Sequence, residues 1–254
     1  MLSVHDAQRE ILNRIVPLST EQVFLGDAHH RVLAETLVAQ RPLPPWDNSA
    51  MDGYGVRAND VAGATPEHPT LLDVVAAVAA GQRHIASIPP LAPGQAVRIM
   101  TGAPVPDGVD AIVMREHTDE SRSEVSGNGV VAIHRAALAG ANIRRAGEDI
   151  AAGDVLATSG ERITTSRLAL LAAAGQTIVP VHRRPIVAIL ASGDELKALG
   201  SPLDDDRIVD SNTHALAAAV KAEGGVAHLL GIAKDSLADH VRLLDAARFA
   251  DVLL

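Results

Sequence analysis

The apolar positions of the chain follow three successive rhythms. Val4, Ala7, Ile11, Leu12 and Ile15 recur at helical spacing, with Ser3 placed to cap the first turn and Pro17 to stop it, which predicts a helix over 3–16. The next segment, EQVFLGDAHHRVLAETLVA, reads as helical or mixed and runs into the proline cluster RPLPPW, a boundary. From 44 to 137 the texture changes to short β-branched runs separated by Gly and Pro: LLDVVAAVAAG, QAVRIMTGAPVPDG, DAIVMREHT and GVVAIHRA. That pattern predicts a small β-rich domain. TSRLALLAAAG then restores a helical rhythm, with Thr165 or Ser166 as the cap and Gly175 as the stop. Its texture matches the N-terminal part, which allows one discontinuous domain to be made of both.

From 185 onward the pattern alternates regularly. PIVAIL is a continuous apolar run of the kind found in buried parallel strands, SNTHALAAAVKAEGG a capped helix, VAHLLGIA a strand, SLADHVRLLDAARFA a helix and DVLL the opening of a third strand. The order is βαβαβ, which predicts a parallel α/β sheet. In such sheets the binding loops follow the carboxyl ends of the strands. The chain stops at Leu254, where such a loop is expected to begin, so a truncated chain is the expectation.

Three polar clusters fall at that predicted sheet edge. SGDE (Ser192, Gly193, Asp194, Glu195) follows the first strand, DSN (Asp210, Ser211, Asn212) caps the first helix, and Lys234-Asp235 follows the second strand. Asp194, Glu195 and Asp235 offer the hard oxygens that Mg²⁺ takes. Ser211 and Asn212 can donate to phosphate oxygens at a helix N-terminus. For each cluster taken singly the competing reading is an ordinary cap or turn; their convergence favours a phosphate and Mg²⁺ site. Thr101 and Gly102 follow another strand-like run and read as a turn or a ligand contact, and IRRAGEDI (with Arg144, Arg145, Glu148 and Asp149) as a surface ion-pair turn or part of a polar cleft.

Composition removes several classes. The chain has 254 residues, a formal charge of -9 and a pI near 5.6, which argues against a nucleic-acid binder. No cysteine is present, so disulfides, thiolate metal sites and a Cys nucleophile are excluded, and a reducing cytoplasm is expected. The sequence MLSVHDAQREIL lacks the apolar region of a signal peptide, and the longest apolar runs fall far short of the ~20 residues a membrane span needs, so no membrane partner is expected. There is no GxxxxGK[ST], no GxGxxG after a strand, no zinc-ligand spacing among the eleven histidines and no GxSxG. Aromatics make up 2% of the chain, so PPWDNSAMDGYGV, which holds the single Trp46 and single Tyr54, stands out. Both are expected to be packing anchors for an irregular loop.

PPWDNSAMDGYGV, GQAVRIMTGAPVPDGVDAIVMREHT, NIRRAGEDIAAGDVL, RPIVAILASGDEL and IVDSNTHALAAAVKAEGG through GIAKDS together resemble the molybdopterin molybdenumtransferases (MoeA and the gephyrin E domain). The resemblance implies an α/β multidomain chain with three parts: a discontinuous helical domain (1–43 plus 138–176), an inserted β-rich domain (44–137) and the first half of a MogA-like α/β, mostly parallel, molybdopterin-binding domain (177–254). It implies Mg²⁺-dependent insertion of molybdate into adenylylated molybdopterin with release of AMP, in a homodimer with a composite active site. By that resemblance Asp52, Thr101, Glu195 and Asp235 are catalytic, Glu195 and Asp235 hold the metal, and Arg144, Asp149, Ser192, Gly193, Asp194, Ser211 and Asn212 bind substrate. The missing remainder of the family's length leads to the expectation that the 254 residues alone are inactive. A gephyrin-type peptide-binding scaffold and a MogA-like molybdopterin adenylyltransferase are the alternatives.

Overall fold

A computed structural model describes residues 2–81, 88–119, 129–202 and 206–254, a mixed α/β chain. Its contacts divide it into two compact units, one made of 38–155 and the other of the flanking 1–37 and 156–254. Among the described residues no helix is long and apolar enough to cross a membrane.

The inserted unit is built on a six-stranded sheet in the order Ala111–Met114, Gly53–Val56, Gln95–Ile99, Thr70–Val78, Gly129–Ile133, Thr118–Asp119. Thr70–Val78 and Gln95–Ile99 run parallel, and the other neighbours are antiparallel. Alternate residues along these strands feed two cores, as the two-residue period of a strand requires. Tyr54, Val56, Ala96, Ala111 and Val113 join one, and Val97, Ile99 and Ile112 the other. Gly53 and Gly55 fall between those positions, where a Cβ at Gly53 would run into the Val113 carbonyl and one at Gly55 would meet the Val109 side chain at 2.9 Å. The neighbouring chain can approach that closely only because both positions are glycine.

Tyr54 is fully buried, as an anchor must be, but Trp46 is 52% exposed and does not anchor the loop. Trp46 supplies instead a backbone carbonyl that accepts from the Asn48 side chain at 3.3 Å.

In the flanking unit the first helix is Val4–Leu12, shorter than the 3–16 expected, and Ser3 caps it by accepting from the Asp6 N–H at 3.2 Å. The segment after it is not helical. Thr20–Phe24 is a strand, because Ile178–His182 pairs with it antiparallel over five residues and outweighs local propensity. The part expected as a helical domain is therefore mixed, its α-helices Val4–Leu12 and Thr165–Ala173 standing beside strands that include Thr20–Phe24. Thr164, not Thr165 or Ser166, caps the second of these, accepting from the Arg167 N–H at 3.2 Å.

The same pairing sets the unit boundaries. Residues 178–182 are bound to the N-terminal 20–24, so the contacts make no separate body of 177–254. The inserted unit extends beyond 44–137 because Ile143–Arg144 pairs with Asn48–Ser49 and Ile150 bridges Leu43.

The βαβαβ order is observed as Ile186–Ser192, Asn212–Ala222, Val226–Ala233, Leu237–Ala246 and Val252–Leu253. All three strands are parallel, with Ile186–Ser192 in the middle. Val187, Ile189 and Ala217 form its small aliphatic core.

Candidate functional site

Within the inserted unit, strand register brings Asp52 to Thr101. Gly53 faces Ile99 across the antiparallel pair, so the residues just outside the two strand ends become neighbours. Asp52 Oδ1 accepts both the Thr101 backbone N–H and the Thr101 hydroxyl at 2.7 Å. Gly102 turns the chain immediately afterwards with φ +78°. The Thr101 N–H, then its hydroxyl, hold the Asp52 carboxyl below the usual aspartate range, with smaller help from Arg115 and Arg98. Asp52 is thus a fixed anion, and Thr101, its one proton spent on Asp52, offers lone pairs to anything that binds beside it.

Arg144 is satisfied within its own turn, Arg145 by the loop before Asp52. Arg144 pairs with Asp149 at 2.5 Å and Glu148 at 3.6 Å, which keeps its guanidinium charged. Arg145 pairs with Asp47 at 2.5 Å, and the Ala146 N–H donates to the same carboxylate at 2.8 Å. The Ala146 N–H and Arg145 hold Asp47 well below the usual range. The geometry is that of the ion-pair turn, pinned to the loop before Asp52 through Asp47. Asp47 was not singled out from the sequence, where only its place in PPWDNSAMDGYGV marks it.

In the flanking unit the carboxyl ends of two parallel strands stand side by side, with Ser192 in register with Ala233. The Gly193 N–H donates to the Ala233 carbonyl at 3.2 Å and the Asp235 N–H to Asp194 Oδ1 at 3.3 Å, tying the SGDE and KD loops together. Gly193 has φ +144°, and a Cβ there would lie 2.5–2.8 Å from the Glu195 carboxylate atoms. The flexible Glu195 side chain can move aside, so what favours glycine at this turn is its positive φ. Ser192 Oγ lies 3.5 Å from Asp235 Oδ1 and 2.9 Å from Nε2 of His240, a residue that sequence reasoning missed. Its signal was present: His240 sits one helical turn beyond Ser236, the cap of Leu237–Ala246.

Ser211 is the N-cap position of Asn212–Ala222, but its side chain makes no capping bond, and the carboxylate one residue earlier, Asp210, satisfies the first turn instead. Asp210 is 6% exposed and accepts from the Thr213 N–H at 3.1 Å and from the Thr213 hydroxyl. Ser211 makes no capping bond, so its exposed hydroxyl remains at the positive end of the helix. Among the described residues no group of three or more His, Asp or Glu is arranged to hold a metal. The carboxylates of Asp194, Glu195 and Asp235 are nonetheless the donor type for Mg²⁺, which commonly takes one or two and fills its shell with water and phosphate oxygens.

The family profile described as MoeA N-terminal region (domain I and II) matches residues 2–175. A curated relative named molybdopterin molybdenumtransferase 2, from Mycobacterium tuberculosis, is 40% identical over 245 residues, covering 96% of this chain and 58% of its own length. The molybdopterin molybdenumtransferase of Bacillus subtilis is 39% identical over 236 residues, covering 93% of this chain and 54% of its own. A crystal structure of the molybdopterin biosynthesis moeA protein from Pyrococcus horikoshii OT3 superposes with a TM-score of 0.87 at 30% identity, over 100% of this chain and 65% of that one. The chain thus spans little more than half the length of these curated relatives.

Proposed function

The chain belongs to the MoeA N-terminal region family, and from that premise we propose that it supplies two arms of a molybdopterin molybdenumtransferase, which inserts molybdate into adenylylated molybdopterin with release of AMP. The observation that carries the reading is the Asp52–Thr101 pair, two 2.7 Å hydrogen bonds across a sequence gap of 49 positions. Such a fixed anion at a strand end suits the orientation of a polar substrate. Asp52 and Thr101 orient the adenylylated substrate. Glu195 and Asp235 hold Mg²⁺, which would draw charge from phosphate oxygens when bound. Ser192, the Gly193 turn and Asp194 shape the edge that receives the substrate, and Ser211 and Asn212 meet its phosphate at the helix start. Arg144 and Asp149, closed on one another, keep the adjoining turn rigid.

Two copies are proposed to act together, one contributing Asp52 and the other Glu195. The 254 residues alone are proposed not to turn over, since they span only 58% and 54% of relatives with the activity in their names.

The test is molybdenum insertion by the gene product carrying Asp52→Asn or Glu195→Gln. Each variant alone is expected to lose at least tenfold in rate, the scale of one lost transition-state hydrogen bond or more. A mixture of the two is expected to recover activity, because one of the two sites in a mixed dimer then keeps both carboxylates. Unchanged rates in the single variants would remove the assignment, and a mixture no better than its parts would remove the shared site.

A further inference from the structure

The hydrogen bonds around Ser192 determine which way its single proton points. The Ser236 carbonyl can only accept, and it receives both the backbone N–H of His240 at 3.2 Å and ring Nδ1 of His240 at 2.8 Å. Nδ1 must therefore carry a proton, and in the neutral ring Nε2 is left as a bare acceptor. Ser192 Oγ lies 2.9 Å from that Nε2 and 3.5 Å from Asp235 Oδ1. With one proton to give, the hydroxyl donates across the short contact, because 3.5 Å is the outer limit of a hydrogen bond. The two Ser192 lone pairs and the Asp235 carboxylate are then both left as acceptors at the sheet edge.

We propose that His240 is a positioning residue: it holds the Ser192 hydroxyl turned away from the sheet edge, so that Ser192 accepts from an N–H or O–H group of the ligand and does not donate to a phosphate oxygen. This inference rests on the site reading above and adds its selectivity. A hydroxyl at the end of a strand beside a helix start would otherwise be taken as a phosphate donor. Here the phosphate contacts fall to Ser211 and Asn212, and the Ser192–Asp235 edge selects a donor-bearing ligand face or a cation. Without His240 the Ser192 hydroxyl is free to donate a hydrogen bond to Asp235, which engages the two groups with each other.

Long-range ¹H–¹⁵N correlation spectra of the 254-residue chain at neutral pH test the orientation without any activity. His240 is expected to show a protonated Nδ1 and an unprotonated Nε2, and Ser192→Ala to shift the Nε2 resonance while leaving Nδ1 in place. A protonated Nε2, or an Nε2 resonance indifferent to Ser192→Ala, overturns the proposal. Binding of adenylylated molybdopterin then separates this inference from the site reading. His240→Ala is expected to weaken binding about tenfold, the worth of one hydrogen bond, and His240→Gln, which keeps an acceptor for Ser192, to restore most of it. Weaker binding by Glu195→Gln with no change in His240→Ala overturns the role of His240 alone. No change in either variant overturns the site reading.

Discussion

Gly53 and Asp52 are adjacent, yet different forces fix them. At Gly53 the constraint is steric and rigid, because the atom a Cβ would strike is the backbone carbonyl of Val113 in the next strand. Gly53→Ala is expected to destabilise the inserted unit by about 1–3 kcal/mol or more, the cost of overpacking a site that cannot yield, measured by urea unfolding. At Asp52 the constraint is electrostatic, since its position depends on donors from Thr101. The loop motif could be read from the sequence as a turn carrying an acid. That the acid is held by Thr101 could not, because the link depends on the register of strands 49 positions apart. Trp46 shows the converse. Rarity in the sequence suggested burial, but rarity says nothing of which face of an irregular loop meets the core, and the ring is half exposed.

At the scale of the element, the helices were legible because capping and periodicity are local. Ser3 caps as its position suggests. The start of Asn212–Ala222 differs in one respect, for Ser211 at the N-cap position makes no side-chain bond and the buried Asp210 before it accepts from the Thr213 N–H. Asp210→Ala is expected to cost about 1 kcal/mol, within the range for lost caps, and Ser211→Ala close to nothing. Thermal unfolding of the two variants separates a structural Asp210 from a Ser211 left to bind ligand. The apolar spacing of Thr20–Phe24 fits helix and strand alike over so short a run. Its partner, Ile178–His182, lies more than 150 positions away and carries the strand signal that decides both.

For the whole molecule, long-range ion pairs set how acid acts on the fold. Asp251 lies just before the last parallel strand and receives both terminal nitrogens of Arg183 at 2.5–2.6 Å and the Ile186 N–H at 2.8 Å. Arg183, then the Ile186 N–H, lower its carboxyl from the usual 3.8 to about 2. A carboxyl with its folded value depressed stabilises the folded state above its unfolded value, and that contribution is lost as pH falls through the folded one. The flanking unit is therefore expected to lose stability between about pH 4 and 2, and Asp251→Asn to show a flatter unfolding midpoint over that window.

The mixed α/β class and the family were determined by the sequence alone: the alternation from 185 onward states a parallel sheet, and the motifs from Asp52 to Asp235 state the kin. Those signals survive because they are written in consecutive residues. The tertiary structure alone decided where the units divide, that Asp47 closes the arginine turn, and that His240 stands against Ser192. Each of these depends on strand register or on one element lying beside another, and distance in the sequence carries no record of distance in space.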